Sequence, residues 1–312
     1  MSEKPKTNKL RGSALMILAA FIWGTSFVAQ SKGLERIGNF TFYAFRSYLA
    51  VAQLLPVSLL VYKSNKKKGE GEHGEYKSFF SKRLFLGGLV AGIAVCAGSA
   101  FQQYGIVLSG VGKSGFLTTL YMLFVPLIGL VCFRRRPPAV LWVCIGIALC
   151  GMYFLCVSDV GKIGLGDILL ICCAFVFAIH ITICDHFVKS VDGIRLSLMQ
   201  FAVSAVISTV MMFILEKPDI KVILECWFPV FYAGVLSSGV AFTLQILSQR
   251  DLSPTMATLL MSLESVFAAL GGAVFGERLS PNEIIGCCLV FSAIIISQLP
   301  WQKILKKDSK IH

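Results

Sequence analysis

Apolar residues in this chain gather into ten long runs separated by short polar connections, and they do not alternate with polar residues at the period of a strand. Each run is about 20 residues long, the length a helix needs to cross roughly 30 Å of hydrocarbon. Lipid offers the backbone no hydrogen-bond partner, so a continuous apolar run of this length must be helical. The pattern predicts helices over residues 12–31, 40–62, 84–107, 114–133, 139–157, 164–185, 195–215, 227–247, 254–275 and 281–299. A closed barrel would need short alternating strands with turns between them, which these uniformly apolar runs do not supply. The first run, Ser13 to Gln30, follows Lys4, Lys6, Lys9 and Arg11 as the core of a secretory signal would. It is long for that role, has no clean A-x-A cleavage site, and is one of ten similar runs.

Composition agrees with a bilayer as solvent. Of 312 residues, 56% are hydrophobic and 15% charged, more apolar surface than one soluble core can bury. A net charge of +12 would suggest a nucleic-acid partner in a soluble protein, but the basic residues sit between the apolar runs and report topology instead. Connections on one side carry 21 Lys and Arg residues against 7 on the other, which places the first side, with both termini, in the cytoplasm. The Lys63 to Arg83 loop and the Arg134-Arg135-Arg136 cluster contribute most. Within that loop, Lys66 to Glu72 reads as a solvated linker, with anionic lipid headgroups as the alternative partner. The eleven cysteines lie almost entirely inside apolar runs, without C-x-x-C spacing, and read as small packing residues. The expected fold class is therefore an all-α integral membrane protein of ten transmembrane helices, multi-pass in the plasma membrane of a bacterial cell.

Laid against itself at an offset of about 140, the chain repeats: Ala100-Phe101 fall on Ala241-Phe242, Pro126 falls near Ser265, and Gly146 falls on Gly286. This divides it into a cytoplasmic tail (1–11), a first five-helix repeat (12–157, with the basic loop 63–83), a second repeat (158–299) and a basic cytoplasmic tail (300–312). Five is odd, so the second copy enters the membrane from the opposite face. Such inverted repeats let a transporter rock between inward-open and outward-open states about a midplane site.

Polar residues inside spans are informative because a central charge costs about 2.5–3.5 kcal/mol on insertion scales. Glu264, in the middle of the ninth helix, is the sharpest case and the one acid the pattern places securely at depth. It is either a proton-titrating or cation-binding group facing a watery cavity, or a carboxyl bonded to a neighbouring helix. Ser114, Thr118 and Tyr121 share one face of the fourth helix. At an offset of 139 that face continues to Val125, which lands on Glu264. A hydroxyl-glued helix seam is the competing reading of such a stripe. Further stripes run through Trp23, Ser26 and Gln30, through Ser99, Gln102 and Gln103, through Ser238, Phe242 and Gln245, and through Gln200 and Ser204. Glutamines and aromatics at membrane depth suit a cavity for a polar organic solute, and Tyr104 joins that candidate lining.

Arg46 enters about two turns from the external end of the second helix, so its guanidinium either snorkels outward or binds a substrate or partner carboxylate. His180, Cys184, Asp185 and His186 resemble a metal cluster, yet only His180 and Cys184 share a helix face. His180 is read as cavity-lining or packed, and no metal or other cofactor is expected. Gly112-Lys113-Ser114 resembles the end of a phosphate-binding loop, but Val107 stands where its first glycine is required. The pairs Gly88/Gly92 and Gly272/Gly276 permit close helix packing, either within one protomer or in a homodimer. Trp142, Trp227 and Trp301 lie near span ends as interface anchors.

These motifs, in this order, resemble the EamA family of the drug/metabolite transporter superfamily over nearly the whole chain. Trp23-Gly24-Thr25-Ser26-Phe27-Val28 looks like its first-helix signature, and Phe45-Arg46 like its second-helix arginine. Gly271-Gly272 through Gly276-Glu277-Arg278-Leu279-Ser280-Pro281, followed by Gly286, is similar to its turn between the last two helices. Three places depart from the family pattern: its Glu-Pro pair is Glu264-Ser265, its sixth-helix tryptophan is Phe177, and its first-half turn is Arg134-Arg135-Arg136-Pro137-Pro138. The resemblance implies a secondary transporter working by alternating access around a central cavity, with helices five and ten peripheral. It implies a small-molecule substrate such as an amino acid, other metabolite or drug-like compound, moved outward, with proton coupling through Glu264 as one mechanism. The alternatives are a non-transporting scaffold or a channel, and then an integral-membrane enzyme. No paired acids, H-E-x-x-H or G-x-S-x-G motif supports the last.

Overall fold

The computed structural model describes residues 8–68, 79–156, 163–274 and 280–299. Most of the Lys66–Glu72 linker, the Gly276–Leu279 part of the last turn, Trp301 and the C-terminal tail lie outside the described residues.

The described residues form helices α1 (Lys9–Leu34), α2 (Asn39–Lys68), α3 (Lys82–Thr118), α4 (Tyr121–Phe133), α5 (Ala139–Cys156), α6 (Leu165–Phe187) and α7 (Gly193–Leu215). There follow α8 (Ile220–Glu225), α9 (Trp227–Phe231), a π-helical stretch (Tyr232–Ala241), α10 (Phe242–Ser248), α11 (Pro254–Met261), α12 (Leu263–Val274) and α13 (Pro281–Gln298). Among the described residues, eight helices are long and apolar enough to cross a membrane, and two shorter apolar ones, Ala139–Leu155 and Pro254–Leu270, occupy the fifth and ninth predicted runs. Helix starts are written locally. Asn8, Ser81, Asp192 and Ser253 each accept an N–H from their helix's first turn, Pro254 supplies the preset φ of a first helical position, and Ser280 with Glu283 closes a capping box.

Burial is inverted relative to a soluble protein. Val131, Phe213, Ile214, Val143 and Ile295 are exposed, while Arg46, Gln103, Gln200 and Gln245 are buried. An apolar exterior around a polar centre is the arrangement of a chain whose solvent is lipid, and the protein is an integral multi-pass membrane protein.

Helix α6 packs on α3 and α4, α7 on α2 and α3, and α1 on α12, α11 and the π-helical stretch. Helix α5 packs on α13, where the backbones of Gly151 and Gly286 meet with no Cβ between them. Gly88 and Gly92 lie against Met199, Gln200 and Val203 of α7, so this G-x-x-x-G pair serves contact within the protomer. Gly276 of the Gly272/Gly276 pair lies outside the described residues.

Three of the predicted helices are not simple rods. The third and fourth runs meet at Gly110, whose φ of +78° lies in a region open to glycine. The fourth is interrupted again at Thr119 and Leu120, between α3 and α4, and the ninth at Ser262, between α11 and α12. Both breaks are sealed the same way: the Thr119 hydroxyl donates to the Phe116 carbonyl and the Ser262 hydroxyl to that of Leu259, each at 2.7 Å. Tyr121 and Glu264 each stand two residues past such a break.

The eighth predicted run is the span Trp227–Ser248, and its middle is wound as a π-helix. Gly234 in that stretch meets the Arg46 carbonyl and Leu49 of α2, and Gly239 meets Gln53, so the widened helix lies directly on α2 where side chains are absent.

Glu264 is not alone among buried acids: Asp167, Asp185 and Asp192 are buried as well. Those three stand at helix ends with cationic partners, a pattern that apolar run length does not reveal. Asp167 binds Lys113 at 2.9 Å, Asp185 binds Arg135 and Lys189 at 2.8 Å each, and Asp192 faces Arg195.

Candidate functional site

A cavity of about 40 Å³ lies at the centre of the bundle. That is room for a few waters. Its wall comes from both halves of the chain: α1, α2 and α3 with the start of α4 on one side of the sequence, and α6, the π-helical stretch, α10, α11 and α12 on the other. Trp23, Phe27, Phe177, Ile181, Phe242 and Met261 supply its apolar surface. The Trp23, His180 and Phe201 rings each meet Phe242 edge-on, with centroids 5.0, 5.9 and 5.5 Å away, which fixes Phe242 in place.

One polar end is built on Arg46. Its side chain is 2% exposed. Nε donates to Ser238 Oγ at 2.9 Å, Nη1 to Gln30 Oε1 at 2.7 Å and Nη2 to Ser237 Oγ at 3.2 Å, with the Tyr43 ring 5.6 Å below the guanidinium carbon. Two consecutive serines reach one guanidinium because the i→i+5 winding opens the helix at that turn, a device found mostly at functional sites. Of the two readings of Arg46, outward snorkelling does not fit: neutral oxygens inside the bundle hold it.

The other polar end is Glu264, 4% exposed, whose Oε1 accepts the Tyr121 hydroxyl at 3.2 Å. Nearby lie Thr118 Oγ1 and Gln245 Nε2, buried and without a protein partner. His180 Nε2 is 2.9 Å from Gln200 Oε1, with Cys184 Sγ 3.4 Å from the same ring nitrogen. Among the described residues no group of three His, Cys, Asp or Glu side chains could hold a metal ion.

Of the residues singled out in sequence, Trp23, Arg46, Thr118, Tyr121, His180, Gln245 and Glu264 line this one cavity. Gln200 stands behind His180, oriented toward it. Gln103 is fully buried but off the lining, and neither of its amide atoms has a protein partner. Tyr104 is 40% exposed and stacks edge-on against Phe40, away from the cavity, because α3 turns that face outward. Phe27, Ile181, Ser237 and Met261 also line it and were not singled out. Three are ordinary apolar span residues, and Ser237 faces inward only through the π winding.

Ion pairs flank the cavity at both ends of the fourth span. Lys113 at its start joins Asp167 at the start of α6, where Ser109 also donates to Asp167 at 2.7 Å. Arg135 past its end joins Asp185 at the end of α6. The side chain of Lys113 is thus engaged away from the centre.

Residues 10–157 and 164–298 each match the sequence model of the EamA-like transporter family. An uncharacterized transporter of Archaeoglobus fulgidus is 28% identical over 293 residues, covering 91% of this chain and 84% of that one. The uncharacterized transporter YoaV of Bacillus subtilis is 22% identical over 295 residues, covering 92% and 97%. A crystal structure of a protein 15% identical in sequence superposes with a TM-score of 0.74 over 94% of this chain and 98% of that one, a likeness of fold.

Proposed function

We propose, from the premise that this chain belongs to the EamA-like transporter family, that it is a secondary exporter of a small organic solute such as an amino acid, metabolite or drug-like compound. The solute binds at the central cavity, and the protein alternates access to it from the two faces of the plasma membrane. Ten spans in two inverted halves, with both termini cytoplasmic, provide the frame. That frame is supported by the paired contacts of the helices: α6 on α3 and α4 has its counterpart in α1 on the π-helical stretch and on α11 and α12.

The observation that carries the reading is a partly apolar, partly polar cavity enclosed by helices from both halves, with an arginine at one pole and a glutamate at the other. Neither would be placed at membrane depth for packing alone, given the cost of burying charge there. Glu264 couples export to proton entry: it takes a proton from one face and releases it to the other as the bundle reverses. The test is counterflow in liposomes. Saturable exchange of a bound solute, accelerated by a proton gradient in the native protein and indifferent to it in Glu264→Gln, is the expected result. Exchange that ignores the gradient in both would remove the coupling, and the absence of saturable exchange would remove the transporter reading.

A further inference from the structure

We propose that the solute carries a carboxylate, and that Arg46 with Ser237 receives it. This rests on the transporter reading and narrows its substrate.

Arg46 differs from the buried aspartates among the described residues. Asp167, Asp185 and Asp192 each face a cation. Arg46, as deeply buried, has only neutral oxygens around it, and no ion pair to it exists among the described residues. An uncompensated charge at membrane depth is expensive, and three hydrogen bonds to neutral groups soften that cost without cancelling the charge. A structural arginine would be expected to have drawn in a carboxylate. This one faces the cavity with its hydrogen bonds made to Ser238, Gln30 and Ser237, and the one carboxylate on the lining, Glu264, is bonded to Tyr121 instead.

Its neighbours carry surplus donors. A guanidinium has five N–H groups, and Arg46 uses three. The Ser237 and Ser238 hydroxyls accept from Arg46, and among the described residues neither donates to a protein partner, which leaves both hydroxyl protons for a ligand. Gln245 Nε2 and Thr118 Oγ1, on the same lining, also lack partners. A lining with this many unspent donors fits a ligand group that only accepts. An ionised carboxylate is such a group, with two oxygens matched to the guanidinium fork. One cation neutralises one charge, so the group is a monoanion and not a phosphoryl dianion. The remaining wall, Trp23, Phe27, Phe177, Phe242 and Met261, suits an apolar or aromatic body attached to it.

The purified full chain in lipid nanodiscs is titrated with 3-phenylpropionate, its methyl ester, phenylalanine, phenylalanine methyl ester and phenethylamine, then with a library of metabolites in matched acid and ester forms. Binding is read as a rise in unfolding temperature. Carboxylates bind and their esters lose about tenfold or more in affinity, as expected for a lost charge-assisted hydrogen bond. This comparison uses the native chain and needs no variant to fold. Arg46→Gln removes the difference between acid and ester, Arg46→Lys restores part of it, and Ser237→Ala weakens acid binding alone. Esters or amines binding as well as the acids, or no carboxylate binding at all, would overturn the assignment. Carboxylate binding without counterflow would sink the transporter reading and leave Arg46 assigned, whereas counterflow of a solute lacking a carboxylate would do the reverse.

Discussion

Tyr121 and Glu264 stand 143 residues apart in sequence and share a hydrogen bond across the cavity. Each is the second residue after a helix break sealed by a hydroxyl, at Thr119 and at Ser262. The two ends of this bond therefore hold like positions relative to a helix break, one in each half of the chain, a phenol donating on one side and an acid accepting on the other.

Separating the two partners distinguishes their roles. Tyr121→Phe leaves the buried Glu264 carboxyl without its protein donor, which costs about 1–3 kcal/mol of stability. Glu264→Gln keeps an acceptor for the Tyr121 hydroxyl and costs less. Thermal unfolding in detergent ranks them, and an equal or reversed order would mean that the hydrogen bond is not what holds Glu264.

At the end of α6, Asp185 is 1% exposed while the side chains of Arg135 and Lys189 are 47% and 51% exposed. Removing both cations strands a buried carboxylate, and removing the acid leaves two cations that water can reach. The double variant Arg135→Ala/Lys189→Ala is therefore less stable than Asp185→Asn, by about 1–3 kcal/mol. Either cation alone is nearly dispensable. Chemical denaturation of the three variants checks the order.

Gly24 has no room for a side chain: a Cβ there would meet the Glu264 carbonyl, Ala268 and Phe267. Gly24→Ala forces α1 away from α12 and costs about 1–3 kcal/mol through overpacking, with loss of transport because Glu264 moves with it. Gly146 faces open space on α5, so Gly146→Ala is silent in both stability and flux. If both substitutions behave alike, the close approach of α1 to α12 is not a constraint.

Gly110, with its φ of +78°, turns the chain from the third span into the fourth, and its carbonyl accepts the Ser114 hydroxyl at 2.6 Å. A Cβ there meets no neighbour, so the whole effect of Gly110→Ala is backbone strain of about 1–3 kcal/mol. A fall in unfolding temperature for Gly110→Ala, absent in Gly146→Ala, is the expected readout.

Much of this was legible in the sequence because the bilayer forces it. Apolar run length locates the helices, and polar residues within runs mark candidates for the centre; of these, Trp23, Thr118, Tyr121, His180, Gln245 and Glu264 share one lining. What stayed hidden depends on helix phase. Tyr104 neighbours Gln103 in sequence yet faces outward, and Ser237 reaches Arg46 only because ten residues wind as a π-helix. Breaks at Thr119 and Ser262 interrupt the fourth and ninth runs, which apolar periodicity alone cannot detect. Asp167 and Asp185 take their partners, Lys113 and Arg135, from another span, which run length does not reveal.

The two ion pairs between the fourth span and α6 bear on how the molecule can move. Lys113 with Asp167 and Arg135 with Asp185 fasten those helices together top and bottom, although one belongs to the first half of the chain and the other to the second. A motion that parted residues 10–157 from 164–298 would have to tear both fastenings at once. The two stretches that match the family separately are thus tied to each other across the bundle, and the joints of the molecule do not follow the division of its sequence.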